Sequence, residues 1–514
     1  MNLDFSRCRL APFQHQREDT AWLLETPHAF IASEMRTGKT KIVIDAAQFM
    51  FEMGMIDKVI VVAPASVRDV WYDPTLGELA KHLWKDVPAN VWEYHSRSRN
   101  WHQNINGGPR LEWYVTNYEF IRAKSRLMKL MVAAGRKTLL VLDESSFIKS
   151  HKAAQTKSCA VLRNRCGRVV LLNGTPIFHS PQDLFSQGNM IHEDILGTPY
   201  ITHFMARYAI QTAVLGHGGK PMQKPYGGTI MKVSGWTNLE DLERRFAPYT
   251  RRRLQKECLD LPPKLDPVPI FAQLEESWPA YKQMRDGLVV WLNENVVASS
   301  STIAIKGLRL AQITGGFLGG VEDARIDPDV PISGIVTTQE IGREKLEALL
   351  QFIEDKLEGD KNFKLISWSR FRAEAERAAA EVKKRFPQFE TAVIMGGQQK
   401  EERLRALGLL NVMTAPEGPV FIAGVEGIGS FGLDMCAAHT CVTMSSGYSP
   451  GRALQTLDRV YGPNQTHPIG YFDIVATGPK GQRTIDHDIL LARRAGEDVA
   501  MRTAAAWVKT LLEE

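Results

Sequence analysis

An α/β fold of two lobes, each a parallel sheet flanked by helices, is the class this chain predicts, and three observations predict it. Short apolar runs rich in Val, Ile and Leu recur, each followed by a turn and a helix-like segment. That alternation belongs to parallel strands joined by helical crossovers. The runs fall into two sets separated by a long stretch of different character. The length of 514 residues accommodates two or three domains at about 150 residues each.

The first set is FIASEMRTGKT from Phe30, KVIVVAPAS from Lys58, WYVTNYEF from Trp113, LLVLDESS from Leu139 and RVVLLNGTP from Arg168. The second is KLISWSRF from Lys364, TAVIMGG from Thr391, PVFIAGVEG from Pro419, TCVTMSSG from Thr440 and IGYFDIVATG from Ile469. Between them, from about Ser186 to Glu344, the pattern is more helix-like and is broken by GHGGKP, KPYGG, DLPPK and DARIDPDVPISG. This stretch reads as insertions plus a hinge. The expected division is a first lobe over 1–260 with a helical insertion, and a second over 261–514 with its own helical insertion at about 275–344.

Composition sets outer limits. With 44% hydrophobic and 24% charged residues the chain is ordinary globular protein. Sixty-three Lys and Arg against 58 Asp and Glu give +5, which is compatible with a polyanionic partner without requiring one. The six cysteines are scattered and form no CxxC pair, as expected in a reducing compartment. No apolar run approaches the ~18 residues of a membrane span, and the first ten residues are too charged for a signal peptide. The expected location is cytoplasmic, in a bacterial cell or a phage-infected host.

The chemistry begins at Ser33-Glu34-Met35-Arg36-Thr37-Gly38-Lys39-Thr40, which follows an apolar strand and precedes the helix-like KIVIDAAQFMF. Strand, loop, GKT and helix come in the order of a phosphate-binding loop. Backbone N–H groups of the loop and helix N-terminus would face phosphates, Lys39 would place a point charge on them, and the Thr40 hydroxyl would hold Mg²⁺. Ser33 stands where the strict pattern has its first glycine, so a surface turn remains an alternative. Downstream, Asp143-Glu144 ends the apolar run TLLVLD. A carboxylate at the tip of a buried strand is costly unless it serves an ion. Paired with the loop, the first acid would orient Mg²⁺ and the second would polarise an attacking water. Gly174-Thr175-Pro176 follows a third strand in the same way.

These motifs resemble those of superfamily-two nucleic-acid motors, and more narrowly the Swi/Snf-related DNA translocases, over almost the whole chain. The resemblance implies two RecA-like lobes that bind ATP and Mg²⁺ and act on double-stranded DNA. Gln16 in HQREDTAWLL sits where that family has an adenine-reading glutamine, and Arg36, Thr37, Gly38, Lys39 and Thr40 occupy its phosphate loop. APASVRDVW and TNYE (Thr116–Glu119) resemble its strand-contacting segments, DESSFIKS its acidic motif and LLNGTP its coupling motif. APYTRRRLQKECLDLPPK is similar to the Arg-Arg and Leu-Pro-Pro-Lys signature between the lobes. In the second lobe, KLISWSRF and GGQQKEER resemble its opening motifs. GIGSFGLDMCAA resembles the glycine motif that touches DNA and nucleotide, with Gly429, Gly432 and Asp434 at matching places. YSPGRALQTLDRVYGPNQ is similar to the arginine-finger motif, matching at Pro450, Gln455, Asp458, Arg459 and Gln465.

Two departures bear on function. Gly462 stands where the family carries a second arginine, with Arg452 as a candidate substitute, and Arg36 replaces a loop glycine. The expected catalytic set is therefore Lys39, Asp143, Glu144 and Arg459, with Thr40 and Asp143 on the metal. The expected activity is a DNA-stimulated ATPase that translocates on duplex DNA as a monomer. A weakly active binding module that retains the fold and a strand-separating helicase are the alternatives. Arg244-Arg245 and Arg251-Arg252-Arg253 have two readings, a solvated or ion-paired cluster and a surface near DNA or the lobe junction. Trp71 and Trp368 stack on bases or pack in the core. Cys436, His439 and Cys441 lack an evident fourth zinc ligand and read as core.

Overall fold

The computed structural model describes residues 3–65, 67–75, 77–94, 99–103, 109–174, 180–214, 220–223, 228–294, 300–319, 338–426, 435–447 and 456–494. The chain forms two compact units that divide between Leu259 and Asp260.

In the first unit an eight-stranded sheet has the order β10-β1-β7-β6-β2-β5-β3-β4. Its strands are β1 (His28–Ile31), β2 (Lys58–Ala63), β3 (Ala89–Glu93), β4 (Arg99–Gln103), β5 (Leu111–Asn117), β6 (Thr138–Leu142), β7 (Arg168–Leu172) and β10 (Thr250–Arg251). All neighbours are parallel except β3 and β4. Successive side chains leave a strand on opposite faces. Ala29, Ile31, Val59, Val61 and Val141 accordingly enter one core, while Phe30, Ile60, Val62, Leu140 and Leu142 enter the other. Both faces are buried, which is why β2 and β6 read as unbroken apolar runs.

The second unit holds a six-stranded, wholly parallel sheet in the order β11-β18-β17-β14-β16-β15. It comprises β11 (Val268–Gln273), β14 (Lys364–Ser369), β15 (Glu390–Ile394), β16 (Val420–Val425), β17 (Thr440–Thr443) and β18 (Gly470–Thr477). Leu365, Phe421, Ala423 and Val442 pack on one face; Ile366, Trp368, Val420 and Ile422 pack on the other. A short antiparallel pair, β12 (Phe317–Leu318) and β13 (Gln339–Glu340), lies apart from the sheet. Two α/β lobes, one on a largely parallel and one on a wholly parallel sheet between helices, are thus the observed fold class, as the runs of the sequence predict.

The first insertion departs from a purely helical expectation. Helices Ile201–Tyr208 and Leu239–Phe246 bracket an antiparallel ribbon of β8 (Ala209–Ala213) and β9 (Met231–Trp236). Thr212, Val214, Thr229, Ile230 and Val233 favour strand, and the Gly- and Pro-rich segments that read as helix breaks favour turns. The second insertion carries helices Trp278–Glu294 and Ser300–Thr314. Among the described residues no helix is long and apolar enough to cross a membrane.

Candidate functional site

The phosphate-loop candidate lies at the C-terminal end of β1, next to the ends of β7 and β6. Gly38 caps helix Lys39–Glu52 in the left-handed conformation, φ +84°. Glycine is needed there for conformation, and a Cβ would also come within 2.1 Å of the Gln16 amide nitrogen and displace that side chain. Gln16 accepts from the Phe13 N–H at 3.0 Å and donates to the Thr37 carbonyl at 3.2 Å. His15 Nε2 also meets that carbonyl, at 2.8 Å. The Thr37 hydroxyl donates to the Glu34 carbonyl at 2.8 Å. Arg36 is left-handed too, φ +63°, a conformation rare outside glycine and asparagine. The loop is a folded, internally bonded nest rather than a loose turn.

Lys39 is the first residue of the helix, and its ammonium donates to the carbonyls of Ser33 and Glu34, both at 2.9 Å. Enclosure lowers its pKa, while the Glu144 and Asp143 carboxylates oppose that shift. The three charges therefore lie within each other's field. Thr40 follows as the second helical residue, half-buried.

Asp143 caps the end of β6 and is buried. Its Oδ2 accepts from the Trp71 indole N–H at 2.7 Å and its Oδ1 from the Glu144 N–H at 2.9 Å. Burial raises its pKa, against the Trp71 hydrogen bond and the Lys39 charge. Its carbonyl accepts from the Tyr118 hydroxyl at 2.7 Å. Glu144 holds a left-handed backbone, φ +49°, at the start of the turn Ser145–Ile148. Strain at a non-glycine residue persists where the surroundings enforce it, and such residues concentrate at functional sites. Ser145 donates to Gln187 Oε1 at 2.6 Å. Gly174 abuts the loop, since a Cβ there would lie 2.9 Å from Met35 Cγ.

Several of these supports are not evident in sequence. Trp71 is fully buried and orients a carboxylate rather than stacking on a base; Trp368 is core. Tyr118, from the segment expected to face a nucleic-acid strand, points inward. The arginine run braces the loop from behind. Arg252 donates to the Ala32 carbonyl at 2.8 Å, and the Arg253 N–H donates to Ser33 Oγ at 3.1 Å. The Arg253 guanidinium pairs with Asp19 at 2.9 Å and with Glu18 at 2.9 Å. Arg244 and Arg245 both pair with Asp241. The ion-paired reading holds for Arg244, Arg245 and Arg253, and Arg252 and Arg253 serve the loop. Because the Asp19 carboxylate is fully buried, Arg253→Met is expected to cost about 3 kcal/mol of stability by stranding that charge. Urea unfolding of the variant against the native chain measures it.

In the second unit the candidate arginine, Arg459, lies beside a fixed contact. Lys264, from the Leu-Pro-Pro-Lys signature, pairs with Asp458 at 2.6 Å and sits 4.3 Å from the Tyr461 ring centroid. The Tyr461 hydroxyl donates to the Pro262 carbonyl at 2.9 Å. Gln465 is buried and donates to the carbonyls of Ala438 and Val460 at 3.0 and 2.9 Å. The Gly462 carbonyl accepts from the Gln465 N–H at 2.9 Å. Gly429, Gly432, Asp434, Pro450, Arg452 and Gln455 lie outside the described residues, as do Thr175 and Pro176. Cys436 and Cys441 are buried, and among the described residues no cluster of His, Cys, Asp and Glu could hold a metal.

The model of the SNF2-related domain matches residues 15–314. The chain is 27% identical over 263 residues to the mouse (Mus musculus) DNA annealing helicase and endonuclease ZRANB3, covering 51% of this chain and 22% of that protein. It is 24% identical over 478 residues to the Xenopus laevis SWI/SNF-related matrix-associated actin-dependent regulator of chromatin subfamily A-like protein 1, covering 91% of this chain and 42% of that one. The chain thus spans less than half the length of these relatives. Among solved structures it is similar to the Sulfolobus solfataricus SWI2/SNF2 ATPase core in complex with dsDNA, with a TM-score of 0.41, 19% identity and coverage of 99% and 97% of the two chains. With the family's model matching more than half of its length, this chain belongs to the SNF2-related domain family and carries a helicase-like ATPase core.

Proposed function

We propose that the chain is a DNA-dependent ATPase that moves along double-stranded DNA, remodelling protein–DNA complexes or branched DNA by ATP-driven opening and closing of its two lobes. The observation that carries this reading is the placement of the Lys39 ammonium at a helix N-terminus capped by left-handed Gly38, within electrostatic reach of the Asp143 and Glu144 carboxylates at the end of strand β6.

The residues fit a magnesium-bound triphosphate. Lys39 is enclosed, and among the described residues its ammonium donates to the loop's own carbonyls of Ser33 and Glu34, an arrangement that an anion would improve. The first N–H groups of helix Lys39–Glu52 have no intrahelical acceptor and suit phosphate oxygens. The Asp143 carboxylate accepts one hydrogen bond on each oxygen and keeps further lone pairs for an ion. Thr40 and Asp143 would hold Mg²⁺, which when bound neutralises charge on the phosphates. Lys39 would orient the β- and γ-phosphates, Glu144 would take the proton of the attacking water, and Arg459 would supply charge to the transition state. Gln16 would read the base, and Arg36 and Thr37 would line the loop; Gly429, Asp434 and Gln455 complete the nucleotide set that the resemblance implies.

Duplex DNA as the partner is supported by family membership and by relatives whose names state action on DNA. Contacts to the phosphate backbone would give little sequence preference and a steep loss of affinity with salt. ATP turnover of the native chain is expected to rise severalfold with blunt duplex DNA. Turnover of Lys39→Ala is expected to stay at background in its presence and absence. Equal background rates in all four samples would instead favour a binding module. Displacement of a protein roadblock without unwinding of a forked substrate separates translocation from helicase action.

A further inference from the structure

The ribbon of β8 and β9 is unusual in being exposed on both sides. Ile210, Gln211 and Thr212 on one strand, and Met231, Lys232, Val233 and Ser234 on the other, are all exposed. An isolated two-stranded ribbon is marginal in water, and this one is held at both ends. At its root Tyr208 is buried in the first unit's core, with Trp236 packed against that core. The Tyr208 hydroxyl donates to Asp241 at 2.7 Å, and Arg207, Arg244 and Arg245 pair with the same carboxylate. Farther out, three backbone bonds close a triangle: Val214 N–H to the Ile230 carbonyl, Ile230 N–H to Met222, and Met222 N–H to Val214, each 2.8 Å. A rigid projection with Ile210, Met231 and Val233 left in solvent calls for an occupant.

The charge identifies the occupant's class. The described residues of this segment, 209–214, 220–223 and 228–236, contain no Asp or Glu, in a chain that has 58 in 514, and carry Lys220 and Lys232. Lys220 and Lys232 are exposed. A two-stranded ribbon has dimensions that the major groove of B-DNA admits. Lysines on such a ribbon would meet phosphates, and its Thr, Gln and Ser side chains would meet sugar and base edges without a fixed sequence requirement.

We propose that this ribbon is a second DNA-contacting element that lies in a groove of the duplex on which the ATPase acts, with Lys220 and Lys232 on the phosphate backbone. The proposal rests on duplex DNA being the partner of the core, and it adds a contact that the nucleotide-binding motifs do not supply. Its consequence is longer residence on DNA, with no change in the DNA-free ATPase.

The test is binding of the whole 514-residue chain to a blunt duplex of mixed sequence, followed by fluorescence anisotropy across a salt series. Lys220→Glu/Lys232→Glu is compared with the native chain and with Lys85→Glu/Lys361→Glu, which carries the same charge change at two other exposed lysines. The ribbon variant is expected to bind about 10- to 100-fold more weakly, with a shallower salt slope by about two, whereas the control stays within about threefold of native. Thermal unfolding and DNA-free ATP turnover are expected to be unchanged in both variants. If native and ribbon variant bind duplex with the same affinity and slope, or if the control loses as much as the ribbon variant, the ribbon is not a DNA element and the core's reading stands. If the native chain itself fails to bind duplex at low salt, both readings fall.

Discussion

Glu144→Gln is expected to lower ATP turnover by about 10²- to 10⁴-fold while leaving ATP binding nearly intact. The substitution preserves shape and removes the ability to accept a proton from the attacking water. The left-handed backbone at this position, φ +49°, is enforced by its surroundings: the Glu144 N–H is fixed on the Asp143 carboxylate and the following turn is bonded through Ser145 to Gln187. Glutamine should therefore inherit the same backbone without a new steric cost. The opposing charge beside Lys39 is reduced, because Glu144 is the first of three carboxylates, with Asp143 and Glu34, that sustain the Lys39 ammonium against burial. ATP affinity should consequently stay level or rise, since less negative charge faces the triphosphate. Fluorescent-nucleotide binding together with single-turnover hydrolysis separates the two effects. Unchanged turnover would remove Glu144 from the chemistry.

Much of this site is legible in the sequence because its chemistry is local. GKT follows an apolar strand by a short loop, the Asp-Glu pair and NGTP sit directly after theirs, and parallel strands that share one sheet bring their C-terminal ends together. The strands themselves are readable for the same reason: β2, β6 and β16 are buried on both faces, so every residue is apolar or nearly so. Illegible parts depend on distant pairing. Trp71 reaches Asp143 across 72 positions, and Arg253 reaches Asp19 across 234; neither residue carries a local pattern that names its partner. β10 has only two residues and no periodicity to detect. β11 is an edge strand with Val268 and Phe271 exposed, so its alternation is blurred. The β8–β9 ribbon escapes a helical reading because its strands are short and its turn residues also serve as helix breakers.

Arg459→Ala is expected to reduce turnover by about three powers of ten, with ATP affinity changing by less than about tenfold. An arginine acting on the γ-phosphate stabilises charge that develops only as the bond breaks, so its loss appears in the rate rather than in binding. The backbone around Arg459 is pinned. The residue before it is held by Lys264 at 2.6 Å, and Gln465 locks the following turn through the Val460 and Ala438 carbonyls. The Arg459 carbonyl itself accepts from the Met435 N–H at 3.4 Å. A finger presented from a pinned backbone loses little entropy when it engages. Arg459→Lys should also be slow, because an ammonium cannot reproduce the planar bidentate fork. Gly462 makes the prediction sharper. With glycine in place of a second arginine at position 462, the native rate should be modest and should depend strongly on Arg459. A variant that keeps its rate within about tenfold of native would mean that the transition-state charge comes from elsewhere, and Arg452, which shares this motif, is then the side chain to replace next.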